Sequence, residues 1–155
     1  PRLKQWVKSL NITQRHLEVA FQKSLKDAIV LIITDELDGA NVLHTFVPIK
    51  GFIQKPKTLY VYSADENENK WTLLEIQPFK KLCNGIGSRL FEMYLQWQND
   101  NLEYINSSSE AQEQDMGFMQ KMMDETYKTN VSMGRMIELI HTHIQTSFQT
   151  VDFND

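Results

Sequence analysis

Apolar residues recur at helical spacing near the start of the chain. A first stripe, at i, i+3, i+4 and i+7, consists of Leu3, Trp6, Val7 and Leu10. A second stripe consists of Leu17, Ala20, Phe21 and Leu25. Thr13 is suited to begin the second helix, because its hydroxyl oxygen accepts a hydrogen bond from a free backbone N–H group of the first turn. We therefore predict two amphipathic helices within residues 1–26.

Extended patterns replace the helical spacing in the next part of the chain. Ala28–Ile33 is a short, continuous and largely β-branched apolar run, which is typical of a strand buried on both faces. Asp35–Gly39 has the composition of a turn, with a glycine suited to positive φ. Four strands are predicted in all, at Ala28–Ile33, Val42–Ile49, Thr58–Tyr62 and Lys70–Ile76. Residues 27–77 are thus expected to form an antiparallel meander.

Helical spacing returns at Pro78 and continues to residue 149. The first helix carries a stripe of Phe79, Leu82, Cys83, Ile86, Leu90, Phe91 and Tyr94. The second, which begins at a capping box (Ser107 with Glu110, or Ser109 with Gln112), has an expected inner face of Met116, Met119, Met123 and Tyr127. The third carries Met133, Met136, Ile137, Ile140, Ile144 and Phe148. Gly85 and Gly87, inside the first helix, predict the close approach of a neighbouring backbone.

These elements predict an α+β fold: a four-stranded antiparallel meander with N-terminal helices and three C-terminal helices. A length of 155 residues is typical of a single domain, here 1–155, with 150–155 as a tail. Because the chain opens at Pro1 without a methionine, we expect it to be trimmed or excised from a longer protein.

The cysteine content and the lengths of the apolar runs indicate in which cellular compartment the protein resides. Cys83 is the only cysteine, so the chain forms no internal disulfide. The apolar run Ala28–Ile33 is far shorter than the roughly 20 residues of a membrane-spanning helix, and no secretory signal is visible. We expect an intracellular protein that does not enter a membrane.

The acidic and histidine residues do not form a convincing metal-binding motif. Asp35, Glu36 and Asp38 follow a predicted strand, where Mg²⁺ ligands can lie, but a hairpin turn explains them more simply. Glu138 and His141 share a helix face as half of a di-iron motif, yet the sequence has no second Glu-x-x-His.

The remaining candidates have structural explanations. His141 and His143 lie on different sides of a helix, so we interpret His141 as a hydrogen-bonded surface or interface residue. His16 and His44 are isolated, and Cys83 belongs to the core. We predict no catalytic residue, no metal and no cofactor.

The basic and acidic residues are unevenly distributed along the chain, whose net charge is −4. Residues 1–57 contain nine basic and five acidic residues, whereas the remainder contains seven basic and fifteen acidic ones. A nucleic-acid-binding surface is therefore an alternative function. Its candidate residues are Arg2, Lys4, Lys8, Lys50, Lys55 and Lys57, with Tyr60 or Tyr62 as stacking surfaces.

Methionines concentrate in the last two helices and suggest the leading function. The candidate interface residues are Met116, Phe118, Met119, Met122, Met123, Met133 and Met136. In the helix that contains the first five, Phe118 and Met122 project away from the predicted inner stripe, so the helix has two apolar faces. Flexible methionine surfaces recur at partner-binding grooves. We therefore predict a non-enzymatic interaction or oligomerisation domain, which binds another protein or a second copy of itself.

Overall fold

The computed structural model describes residues 3–43, 45–65, 68–146 and 153–154. The predicted α+β class is confirmed, because helices and an antiparallel sheet both occur in these ranges. The helices are α1 (Leu3–Ser9), α2 (Gln14–Gln22), α3 (Leu25–Leu43), α4 (Ile76–Asp100), α5 (Leu102–Ile105), α6 (Ser109–Met122) and α7 (Asn130–Ile144). A 3-10 turn at Thr126–Lys128 joins α6 to α7.

The sheet is built on three antiparallel strands in the order β1 (Ile49–Phe52), β2 (Lys55–Asp65) and β3 (Glu68–Leu73). Two-residue strands lie parallel to its edges: β4 (Gln145–Thr146) beside β1, and β5 (Phe153–Asn154) beside β3. The predicted four-stranded antiparallel meander is therefore wrong. Of the predicted strands, Thr58–Tyr62 lies within β2, and the first part of Lys70–Ile76 lies within β3. Val42–Ile49 overlaps the sheet only at Ile49, where β1 begins.

Ala28–Ile33, predicted as a strand, is the first part of the 19-residue helix α3. Ser24 precedes this helix, and its Oγ accepts a hydrogen bond from Asp27 N at 3.0 Å. The buried side of α3 consists of Leu25, Ala28, Ile29, Ile32, Ile33, Thr34, Leu37 and Ala40. Because α3 packs against α2, α4 and α7, it is apolar around much of its circumference, and such a helix shows no clear alternation of polar and apolar residues.

Substitution of Gly39 distinguishes a helix from a turn at this position, because the two structures predict opposite changes in the free energy of unfolding. A Cβ at Gly39 would meet nothing within 4 Å, and φ at this helical residue is not positive. Gly39→Ala should therefore raise the free energy of unfolding by about 0.5–1 kcal/mol in urea titrations. The same change in a turn with positive φ would lower it. Gly51→Ala is the matched control and should destabilise, because its Cβ would lie 3.0 Å from His141 Cδ2.

The two N-terminal helices agree with their predicted stripes. Trp6, Val7 and Leu10 are buried, and so are Leu17, Ala20, Phe21 and Leu25, the last of which begins α3. Thr13 is the N-cap of α2, as predicted, and His16 contributes to the cap because its Nδ1 accepts a hydrogen bond from Thr13 N at 2.9 Å. A neighbouring element approaches Gly85 closely, as predicted, but through a side chain and not through its backbone. Val7 Cγ1 would lie 3.1 Å from a Cβ at Gly85.

The two faces of the sheet belong to different clusters. Ile49, Leu59 and Leu74 join the main core, where α7 packs against β1 and β2. The opposite face carries a separate aromatic cluster of Phe52, Tyr60, Tyr62 and Trp71. Buried His141 links α7 to the sheet, since its Nε2 lies 2.8 Å from the carbonyl oxygen of Phe52. His141 is thus a buried structural residue, and its predicted position at the surface or an interface is corrected.

Candidate functional site

The N-cap of helix α6 is Ser108, whose Oγ accepts a hydrogen bond from Ala111 N at 3.1 Å. Both capping boxes predicted from the sequence are therefore shifted by one residue. This start places Ala111, Asp115 and Met122 on the buried side of the helix. Phe118 is half-buried and stacks on Phe21 of α2, with ring centroids 3.9 Å apart and planes 9° from parallel.

A buried polar network fixes α6 against α4. Tyr94 Oη donates to Asp115 Oδ1 at 2.7 Å, and Gln98 Nε2 donates to Asp115 Oδ2 at 2.9 Å. Burial raises the pKa of the Tyr94 hydroxyl above its ordinary range, and the hydrogen bond to Asp115 raises it further. Tyr94 therefore remains a neutral donor, which is the form that this buried carboxylate requires.

Three methionines occupy the flank of α6 that the core leaves open. Met116, Met119 and Met123 are 60%, 37% and 62% exposed, and we call them the methionine stripe. Their i, i+3 and i+7 spacing places them along about 10 Å of the helix. The sequence prediction that these residues form the inner face of α6 is wrong, because Phe118 and Met122 face the core instead.

Met123, at the C-terminal end of the methionine stripe, lines a cleft between α4 and the end of α6 with the segment that follows it, which we call the α4–α6 groove. Met119 lies one turn earlier on α6, outside this lining. The volume of the groove is about 350 Å³. Its lining includes Phe91, Met122 and Met123, together with the acidic residues Glu92, Asp124 and Glu125. Since Met122 is buried while Met123 is largely exposed, the groove joins the core to the methionine stripe. This arrangement offers an apolar floor with an adaptable rim.

The other candidate interface residues lie in the core. Met133 and Met136 are fully buried in α7, and Met122 is buried in α6. These three fill the interior and offer almost no surface to a partner. Only the methionine stripe retains the exposure that an interface residue needs in the free chain.

The candidate nucleic-acid residues divide between two elements. Lys4 and Lys8 are exposed on α1, which Arg89 of α4 holds by donating to the carbonyl oxygens of Val7 and Leu10 at 2.9 and 2.7 Å. Lys50, Lys55 and Lys57 belong to the β1–β2 hairpin, which packs against α7. Arg2 lies outside the described residues.

The hairpin lysines and tyrosines already have neighbours within the chain. Lys50 Nζ lies 5.0 Å from the centroid of the Trp71 ring, and Lys57 Nζ lies 4.0 Å from Glu138 Oε1. Tyr60 is buried, and half-buried Tyr62 makes an edge contact with Trp71. No base can therefore stack on Tyr60 in this conformation. The nucleic-acid alternative stays a prediction.

Asp35 and Asp38, whose position in the sequence is compatible with Mg²⁺ ligands, form two separate pairs with histidines. Asp35 Oδ2 accepts from His16 Nε2 at 2.8 Å and also pairs with Arg15, which ties α3 to α2. Asp38 lies 2.8 Å from His143 Nε2, which ties α3 to α7. The predicted hairpin turn at these residues is wrong, since both lie within α3. Among the described residues, no group of three or more metal-ligating side chains occurs.

A larger cleft lies between α3, β1 and α7. Its volume is about 670 Å³, and it is lined in part by Asp38, Phe46, Lys50 and His143. It places one basic side chain beside a paired aspartate and histidine. His44 lies outside the described residues. Cys83 is buried in the core as predicted, and burial raises the pKa of its thiol to about 12.

Comparison with protein-family models, with curated proteins and with solved structures yields no match to this chain. None of the helices in the described ranges combines the length and apolarity that crossing a membrane requires.

Proposed function

We propose that this chain is a non-enzymatic protein-interaction domain whose α4–α6 groove binds an amphipathic helix of a partner protein. The exposed methionine stripe beside the groove carries this proposal. Exposed methionines on one flank of a helix create apolar surface that the chain does not cover, and thioether side chains adapt to the shape of a partner. The single cysteine favours an intracellular location for this interaction.

The dimensions of the groove favour a helix as the bound element. The methionine stripe extends over about 10 Å, which equals about two turns of a bound helix. A helix of this length presents apolar side chains at i, i+3 or i+4, and i+7, and this is the usual pattern of helices that bind in grooves. Phe91 and Met122 would then contact the deepest side chain, while Met123 closes over its flank. Met119, one turn earlier on α6, would contact the bound helix beyond the groove.

A designed peptide tests the proposal without knowledge of the natural partner. The probe is a fluorescein-labelled peptide of about 16 residues, with leucines at helical spacing and glutamines elsewhere. We expect saturable binding in fluorescence anisotropy. In carbon-13 methyl NMR spectra, the methyl signals of Met119 and Met123 should shift, whereas those of buried Met133 and Met136 should not.

Substitution of the methionine stripe should weaken this binding selectively. Met119→Ala combined with Met123→Ala should lower the affinity for the peptide by about 10-fold or more, because each buried thioether contributes about 1 kcal/mol or more of apolar contact. The stability should change by less than about 0.5 kcal/mol per substitution, because both side chains protrude from the core. Leu139→Ala, at a half-exposed residue of α7, is the matched control and should leave the affinity unchanged. Equal losses in both variants, or no binding at all, would reject the groove.

A further inference from the structure

We infer that the α4–α6 groove selects a positively charged helix; this inference rests on the proposed function and adds the chemistry of the partner. Three carboxylates line the groove, from Glu92, Asp124 and Glu125. Among the described residues that line the groove, Lys128 is the one basic residue, and its Nζ pairs with Glu125 Oε1 at 2.9 Å. The lining of the groove therefore has a net negative charge.

The carboxylates lie on both walls of the groove. Glu92 is an exposed residue of α4, whereas Asp124 and Glu125 follow the end of α6. Asp124 is fixed in place, because its Oδ1 accepts from Thr126 N at 2.9 Å and its Oδ2 accepts from Thr126 Oγ1 at 3.0 Å. A helix with lysine or arginine beside its apolar stripe would place a cation near each wall.

The charge of the surrounding chain acts in the same direction. Residues 58–155, to which almost the whole groove belongs, contain fifteen acidic and seven basic residues. Such a field increases the association rate of a cationic partner, and salt weakens the effect. An acidic helix would meet like charge at both walls of the groove and should be excluded.

A second copy of the chain is a poor occupant of the groove. Its most basic described helix, α1, has buried its own apolar residues Trp6 and Val7, so this helix cannot present an apolar face to another molecule. The structure thus favours a basic helix from a different protein. We expect the purified chain to remain monomeric at about 0.5 mM in analytical ultracentrifugation, and dimers formed through the methionine stripe would overturn the inference.

The test uses two peptides that share the leucine pattern of the neutral probe. One carries lysines and the other glutamates in place of the glutamines, and both are titrated by anisotropy at about 50 and 200 mM salt. We expect the lysine peptide to bind at least about 10-fold more tightly than the glutamate peptide at low salt. The difference should shrink at high salt, because salt screens exposed charges.

Charge reversal in the groove should invert this preference. Glu92→Lys combined with Glu125→Lys should weaken the lysine peptide by about 10-fold and strengthen the glutamate peptide. Glu18→Lys, on the exposed side of α2, is the matched control and should alter neither affinity by more than about twofold. Binding of the neutral probe with no preference between the charged peptides would overturn the inference and leave the groove intact. Failure of all three peptides to bind would overturn the proposed function as well.

Discussion

Replacing Tyr94 by alanine should lower the free energy of unfolding by about 3–5 kcal/mol. Tyr94 is fully buried, and its ring contacts Phe21 edge-on at a centroid distance of 5.9 Å and stacks near Trp97 at 6.2 Å. The substitution would open a large cavity between α2, α4 and α6. It would also leave buried Asp115 without its 2.7 Å hydrogen bond from Tyr94 Oη.

Tyr94→Phe separates these two contributions, because it retains the ring and removes only the hydroxyl group. We expect a loss of about 1–3 kcal/mol, the usual cost of leaving a buried polar group without its partner. Urea unfolding followed by circular dichroism at 222 nm measures both variants. If Tyr94→Phe is as destabilising as Tyr94→Ala, ring packing is not the larger contribution; if it costs nothing, the hydrogen bond to Asp115 is not needed for stability.

The protein should lose roughly 4 kcal/mol of stability between pH 8 and pH 11. Burial raises the pKa of the Cys83 thiol from 9.0 to about 12. Burial, followed by the nearby Cys83 and the carboxylates of Glu125 and Asp124, raises the pKa of Tyr127 from 10.0 to about 12. Tyr94 is shifted in the same direction.

Whether stability rises or falls with pH depends on which state, folded or unfolded, retains the proton. Above about pH 9, the unfolded chain releases the Cys83 proton while the folded chain retains it, so the free energy of the unfolded state falls relative to that of the folded state. Stability is therefore unaffected by this group below pH 9 and falls as the pH rises towards 12, by about 1.4 kcal/mol per pH unit. The two tyrosines add to this slope above pH 10.

Urea titrations at pH 8, 9.5 and 11 measure how steeply the free energy of unfolding falls with pH. Two variants show which groups cause the fall. Cys83→Ala should remove the loss between pH 9 and pH 10, with a constant offset from the smaller side chain. Tyr127→Phe should reduce the slope above pH 10 while keeping the ring in place. A slope that persists unchanged in the double variant would show that other groups cause the alkaline loss.

The orientation of α6 illustrates how far the sequence predicts the candidate site. Concentrated methionines and two apolar faces are visible in the sequence, and both exist in the structure. The pattern that marks the buried side is Ala111, Asp115, Phe118 and Met122, at i, i+4, i+7 and i+11. Because it includes a charged residue, a search for apolar stripes passes over it in favour of the methionines.

The α4–α6 groove was not predicted because its walls are distant in the sequence. Glu92 and Met123 line the same cleft, although 31 residues separate them. Each is an ordinary residue of its own helix when viewed alone. The chain reversal through α5, held by the hydrogen bonds of Asp115 to Tyr94 and Gln98, brings Glu92 of α4 beside Met123.

The sequence by itself determined the α1, α2, α4 and α7 helices, because each packs along one side and its apolar residues therefore repeat at the helical period. It also determined the burial of Cys83, which lies within such a stripe. Tertiary structure decided α3 and α6. The run Ala28–Ile33 is apolar on every side of α3, because Val30 and Leu31 are half-buried beside the residues that pack against α2, α4 and α7, so its helical period is hidden in the sequence. In α6, which has two apolar faces, the face that turns inward is the one whose side chains find partners: Phe118 on Phe21, and Asp115 on Tyr94.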